Sequence, residues 1–188
     1  MPSSLRTSAA DEADTALAGA VARAFAAGGP LARADAGYVE RDVQQRFAHA
    51  VAQALESRGA LVAEAGTGVG KTFAYLVPLL LSGRRALVST ATKSLQDQLF
   101  LRDLPRLMQA LAVPLQLALL KGRASYLCLH RLGQARQGGA PGHTAFQPDR
   151  FALRALSRIE VWAQGTVSGD LAEIDGLDER SPVIPLVT

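Results

Sequence analysis

The sequence predicts an α/β domain in which helices flank a parallel sheet and a phosphate-binding loop sits at the end of one strand. Two observations carry that expectation. Residues 65–72 read Ala-Gly-Thr-Gly-Val-Gly-Lys-Thr, between the apolar run Ala60-Leu61-Val62-Ala63 and the run Phe73-Ala74-Tyr75-Leu76-Val77, so strand, glycine loop and helix come in the order the loop requires. A second apolar run, Ala86-Leu87-Val88-Ser89, follows that helix and precedes another helical segment. Strand and helix in alternation are the mark of a parallel sheet.

The elements follow in chain order. Residues 1 to about 12 are small and polar and are expected to be disordered. From Ala13 to Ala27, Leu17, Val21 and Phe25 recur at four-residue spacing in an alanine-rich helix that Gly28-Gly29-Pro30 ends. A second helix is predicted from Asp42 to Ser57, with Phe47, Val51 and Leu55 as its apolar stripe and Gly59 just past its end. A strand over 60–64 leads into the loop. The helix starting at Lys71 contains Pro78, which deprives the Ala74 carbonyl of its partner and predicts a kink or an early end. Gly83-Arg84-Arg85 then lead into the strand 86–89, and Thr92 is placed to cap a helix from Lys93 to about Leu101. A third strand is predicted over Leu115 to Leu120. Gly133 to Pro148 is rich in Gly and Pro and reads as a loop, Arg150 to Ala163 as a helix with Leu153, Leu156 and Ile159 inward. The segment from Asp170 to Arg180 is acidic, and Pro182 and Pro185 are expected to break any regular element after it.

The composition fits a folded chain. It has 188 residues, 48% apolar and 20% charged, which is enough for one domain with its own core. Lys and Arg number 20 against 17 Asp and Glu, so net charge says little about partners. The distribution is more pointed: between Leu80 and Arg136 stand nine basic residues against Asp97 and Asp103, a stretch able to face a polyanion, although solvated basic surface is common. Cys128 is the single cysteine, which excludes an internal disulfide and suits a reducing compartment. The N-terminus lacks a secretory apolar segment and Phe73 to Leu81 is too short to cross a bilayer, so a cytoplasmic protein with no membrane partner is expected.

The residue types of the loop suit a nucleotide. Gly66, Gly68 and Gly70 permit backbone angles that turn successive N–H groups inward around phosphate oxygens at a helix N-terminus. Lys71 is placed to reach the β and γ phosphates and the Thr72 hydroxyl to hold Mg²⁺, with Thr67 and Val69 completing the loop. Ala65 stands where the simplest pattern has its first glycine, a minor departure. Gln44, 22 residues before Gly66 and close to Arg41, carries the donor and acceptor that read adenine N6 and N7, or else it lies on a solvated helix N-terminus. Thr90, Thr92, Lys93 and Gln96 are the sort of hydroxyls, amide and ammonium that grip a phosphate backbone, or else an ordinary capped helix. Cys128, in Lys121-Gly-Arg-Ala-Ser-Tyr-Leu-Cys, has no second cysteine, and His49, His130 and His143 have no ligand spacing relative to it; a lone cysteine is more often a small buried hydrophobe.

Taken in order, Arg41 and Gln44, Glu64-Ala-Gly-Thr-Gly-Val-Gly-Lys-Thr, Ser89-Thr-Ala-Thr-Lys-Ser-Leu-Gln-Asp-Gln-Leu and Lys121-Gly-Arg-Ala-Ser-Tyr-Leu-Cys resemble the bacterial DinG/YoaA family of superfamily 2 DNA helicases, relatives of XPD, and most closely its YoaA branch. The likeness runs from about Gly37 to the end. It implies an ATP-dependent enzyme moving 5′ to 3′ along single-stranded DNA, with replication or repair proteins as candidate partners and a [4Fe-4S] cluster in an insertion of its first RecA-like motor domain. By position, Arg41 and Gln44 would form the adenine-recognising motif and Ala65 to Thr72 the phosphate loop. Thr90 to Gln98 would touch DNA, and Cys128 would be the first of four cluster ligands.

The implied organisation is an N-terminal extension over 1–36, the first part of an incomplete RecA-like ATP-binding domain over 37–120, and the start of the iron–sulfur insertion over 121–188. Three cluster cysteines, the Asp-Glu-x-His motif and the second motor domain have no counterpart, so the sequence reads as an N-terminal fragment. Such a piece is expected to bind ATP and Mg²⁺ without hydrolysing ATP or unwinding DNA, because the missing groups supply several powers of ten in rate. It is also expected to expose apolar strand edges and faces and to be poorly soluble or incompletely folded. Two other readings compete. A small P-loop phosphotransferase, such as a nucleotide or metabolite kinase, needs an acid for its acceptor, and the 121–150 region has arginines but no matching acid near a strand end. A non-catalytic DNA-binding partner leaves Lys71 and Thr72 unexplained.

Overall fold

The computed structural model describes residues 16–137, 149–178 and 180–188; the expected disorder of residues 1–12 and most of the loop ending at Pro148 lie outside them. The chain divides into two compact units, one up to Ala118 and one from Leu119 onward.

The first unit is built from helices α1 (Ala16–Phe25), α2 (Pro30–Ala34), α3 (Asp42–Ser57), α4 (Lys71–Leu81), α5 (Lys93–Gln98) and α6 (Leu104–Leu111). Val21 and Phe25 of α1 are buried as the four-residue spacing predicts. Pro30 does more than end α1: with its fixed φ and missing N–H it opens α2, where a first-turn proline costs nothing. In α3 the buried stripe is Gln44, Ala48 and Ala52 rather than the predicted Phe47, Val51 and Leu55. The small alanines let α3 lie close against its neighbours in a core with Phe25, Ala74, Leu76, Val77 and Leu80. Phe47, Val51 and Leu55 instead line a groove of about 340 Å³ together with Leu61, Ala63 and Tyr75. The last turn of α3 is closed by Arg58 in the left-handed region and by the Arg84 guanidinium, which donates to the Leu55 carbonyl.

Helix α4 does not end early at Pro78. It runs on to Leu81, and Ser82 N–H reaches the Pro78 carbonyl at 2.9 Å. An interior proline costs about 3 kcal/mol, and burial of Leu76, Val77 and Leu80 at about 1.5–3 kcal/mol each outweighs it. The helix predicted to stop near Leu101 also continues: α5 passes through a π-helical turn at Leu99–Asp103 into α6. Pro105 explains the widened turn, because its ring crowds the Leu101 carbonyl and it has no N–H to donate.

The parallel sheet does not form among the described residues. The segments predicted as strands, 60–64, 86–89 and 115–120, run as irregular chain, with Val62 99% and Leu87 97% exposed. A strand persists when its backbone N–H and C=O groups are paired, and parallel strands have no tight turn to bring a partner in. None of the three meets a second strand.

The second unit holds α7 (Leu129–Arg136), α8 (Arg150–Ala163) and α9 (Ile184–Val187), with 3₁₀ turns at Arg123–Ser125 and Leu171–Glu173. Its core gathers Leu132, Leu156, Ile159, Leu171, Val183 and Val187. Gly133 to Arg136, expected in the loop, are helical because buried Leu132 anchors α7 at a cost of about 1 kcal/mol for the interior glycine. In α8 the inward residues are Ala152, Leu156 and Ile159, while Leu153 is exposed. Pro185 does not break the chain's last element, since it stands in the first turn of α9, where a proline is tolerated. No helix among the described residues is long and apolar enough to cross a membrane.

Candidate functional site

The glycine loop connects irregular chain to the N-terminus of α4. Gly68 and Gly70 have φ of +78° and +81°, the left-handed region that only glycine enters without strain, and Gly70 is the N-cap of α4. Gly66 lies in open space and needs no such freedom.

Two side chains from the start of α3 hold this loop by its carbonyls. Gln44 is buried, and its Nε2 donates to the Gly70 carbonyl at 2.9 Å. Arg41 Nη1 donates to the Gly68 carbonyl at 2.7 Å. A Cβ on Gly70 would fall 2.0 Å from Gln44 Nε2, so the glycine is required by packing as well as by φ. The structure therefore brings Arg41 and Gln44 to the loop, 27 and 26 residues away in sequence. The amide retains a second N–H and the acceptor capacity of its oxygen, the two functions that base recognition uses.

Lys71 Nζ folds back over the loop and donates to the carbonyls of Ala65 at 2.6 Å and Gly66 at 2.9 Å. An ammonium has three donors, so this geometry uses two of them and keeps the charge beside the first turn of α4. Thr67 and Val69 complete the turn, the first exposed and the second half-buried. Thr72 is half-buried, one residue further into α4, and hydrogen-bonds the phenol of Tyr75 one turn on. Burial pushes the Tyr75 phenol above its ordinary value; the Thr72 bond opposes that rise and the Asp103 carboxylate adds to it.

The second predicted string lies elsewhere on the first unit. Thr92 Oγ1 accepts from Leu95 N–H at 3.2 Å and so caps α5, while Thr90 Oγ1 donates to the Thr92 carbonyl at 3.1 Å. Thr92 and Lys93 are exposed, and Thr90 and Gln96 are half-buried. Gln98 turns inward: its Nε2 donates to Oδ2 of the buried Asp103 at 2.9 Å, and Arg102 Nε reaches the other oxygen at 3.1 Å. Sequence reasoning missed Asp103. Residues five apart do not share a face of an α-helix, and it is the π-helical turn that brings the pair together.

Cys128 lies in the second unit, half-buried at the N-cap of α7. Its N–H donates to the Val187 carbonyl at 2.7 Å and its carbonyl accepts from Leu132 N–H at 2.9 Å. Among the described residues no group of three or more His, Cys, Asp and Glu is arranged to hold a metal.

Residues 41–136 match the family model for the DEAD/DEAH box helicase, a stretch that contains all four strings, the glycine loop among them. The chain belongs to that family, in its DinG/YoaA branch. It is 45% identical over 168 residues to the ATP-dependent DNA helicase YoaA of Haemophilus influenzae, covering 89% of this chain and 25% of that protein. The YoaA of Escherichia coli is 44% identical over 87% of the chain and 25% of its own length. The ATP-dependent helicase DinG of Mycobacterium tuberculosis is 40% identical over 80% of the chain, again 25% of its own length. The chain thus spans about a quarter of these relatives. No solved structure matches. Family membership carries a RecA-like fold for the matched stretch of this DEAD/DEAH box chain, although its sheet is not formed among the described residues.

Proposed function

We propose that this chain is the nucleotide-binding part of an ATP-dependent DNA helicase of the DinG/YoaA type. The observation that carries the reading is the loop 65–72, held by Gln44 and Arg41 at its carbonyls and closed by Lys71, within the family-matched stretch. In this reading Lys71 leaves the Ala65 and Gly66 carbonyls for the β and γ phosphates, which offer a charged acceptor in place of neutral ones. Thr72 supplies a hydroxyl to Mg²⁺, whose role is to bridge and neutralise phosphate charge. Gln44 reads adenine with its oxygen and second N–H while the first stays on Gly70, and so ties the base to the phosphates through one side chain.

Residues 60–64 and 86–89 are the sheet strands of the RecA-like fold in this proposal, and exposed Val62 and Leu87 are the faces a neighbouring strand and layer would cover. Thr90, Thr92, Lys93 and Gln96 contact the backbone of single-stranded DNA, supported by the exposed cap of α5 and by the basic balance of the stretch around it. Cys128 is one cluster ligand. Iron–sulfur clusters take four thiolates as a rule, and the chain has one cysteine, so its own residues do not fit a complete site.

Titration with a fluorescent ATP analogue tests the reading. Lys71→Ala is expected to weaken binding about tenfold or more, as loss of a charge-assisted phosphate contact does. Gln44→Ala should erase the preference for ATP over GTP and weaken triphosphate binding less than Lys71→Ala does, through the loss of its bond to the Gly70 carbonyl. Absence of ATP binding by the parent chain with Mg²⁺ would refute the proposal.

A further inference from the structure

Lys121 opens the string that ends at Cys128, and its ammonium lies 2.7 Å from Asp170 Oδ2 with the two side chains 4% and 10% exposed. The ion pairs Arg102–Asp103, Arg106–Asp35 and Arg136–Glu160 each have a well-exposed arginine, so this pair stands apart by its burial. Taking two charges out of water costs more than an apolar pair of the same volume, which makes a buried ion pair a poor source of stability and a good source of registry.

Its surroundings show which registry is fixed. Asp170 pairs in an antiparallel bridge with Tyr126, and the Tyr126 phenol oxygen accepts from Lys121 N–H at 2.9 Å. Lys121, Tyr126 and Asp170 so close a triangle around the 3₁₀ turn at Arg123–Ser125. Asp170 is itself set, with Oδ1 accepting from Ala172 N–H at 3.1 Å and its own N–H donating to Ser168 Oγ at 3.0 Å. The two residues after Tyr126 are tied next: Leu127 N–H to the Gly169 carbonyl at 2.9 Å and Cys128 N–H to the Val187 carbonyl at 2.7 Å.

We infer that Lys121 and Asp170 are positioning residues for Cys128, holding the turn that sets it at the N-cap of α7. Lys121 has to reach Asp170 for the turn to close, and a one-residue slip would leave both charges buried without each other. An apolar pair would bury as well and would tolerate the slip. The inference concerns the second unit and does not rest on the nucleotide reading.

The full 188-residue chain carries one thiol, so its reaction with the disulfide reagent 5,5′-dithiobis(2-nitrobenzoate) under native conditions reports on Cys128 alone. The variants are Asp170→Asn, Lys121→Met, the apolar double Lys121→Met/Asp170→Leu, and Leu156→Ala as a core control in the same unit. Each single variant is expected to raise the labelling rate about tenfold or more through local opening of the turn, and the control by less than about twofold at a comparable loss of melting temperature. The double variant should melt above Lys121→Met, though short of the parent by the lost Asp170 cap on Ala172 N–H, and should keep fast labelling, because burial is restored and registry is not. It also carries the test if a single variant fails to fold. Wild-type labelling in the double variant, or singles no faster than the control, would overturn the inference.

Discussion

Replacing Gly70 by alanine tests the joint between α3 and the phosphate loop. At φ +81° a Cβ meets its own backbone, at a cost of about 1–2 kcal/mol. The same Cβ falls 2.0 Å from Gln44 Nε2 and 2.8 Å from its Cδ, so the amide has to leave. Gln44 is buried and loses its bond to the Gly70 carbonyl when it moves, which costs about 1–3 kcal/mol for a group left unsatisfied. The sum is a destabilisation of about 2–5 kcal/mol. Urea unfolding followed by circular dichroism measures it, with Gly66→Ala as the control, since a Cβ there meets nothing and the φ is not positive. The control should stay within about 0.5 kcal/mol of the parent. Gly70→Ala/Gln44→Ala should cost less than the two single changes added, because without the amide only the backbone strain remains. A Gly70→Ala chain as stable as the Gly66→Ala chain would refute the reasoning.

Three further outcomes are expected. Val62→Ser with Leu87→Ser should leave stability within about 0.5 kcal/mol, since both side chains already face solvent, and should reduce light scattering on concentration; a marked loss of stability would mean that these segments are packed in solution. Asp149→Ala should destabilise α8 by about 1 kcal/mol, because Asp149 Oδ1 accepts from Phe151 N–H at 3.0 Å and Ala152 N–H at 2.7 Å, and thermal melting reads the loss. Tyr38 and Tyr75 both have phenols raised above 10, by burial first; the Tyr38 proton also donates to the Phe25 carbonyl at 2.6 Å. A raised phenol means that the folded state holds its proton longer than the unfolded one, so this stability is complete below pH 10 and is lost as pH rises through the folded values. Tyr38→Phe should flatten part of that alkaline loss in a pH series of urea midpoints.

What the sequence determined by itself is local chemistry. The glycines at 68 and 70 announce left-handed backbone, Thr92 announces a cap, and the order of the four strings announces the family, because each depends on residues next to one another in the chain. Helices α1, α3 and α8 were legible for the same reason, through the spacing of their apolar residues, and α4 through its place after the glycine loop. The tertiary structure decided what depends on partners. It chose Ala48 and Ala52 over Phe47 and Val51 as the buried face of α3, since which stripe is inside depends on how closely the neighbouring helices approach. Segments 60–64 and 86–89 remained unpaired, since a strand is defined by a neighbour the segment itself does not contain. Gln98 was turned onto Asp103 through a π-helical turn, and Lys121 was given Asp170, 49 positions away in the chain, as its counter-ion. Periodicity reports what a residue prefers, and only packing decides which distant charge or carbonyl it meets.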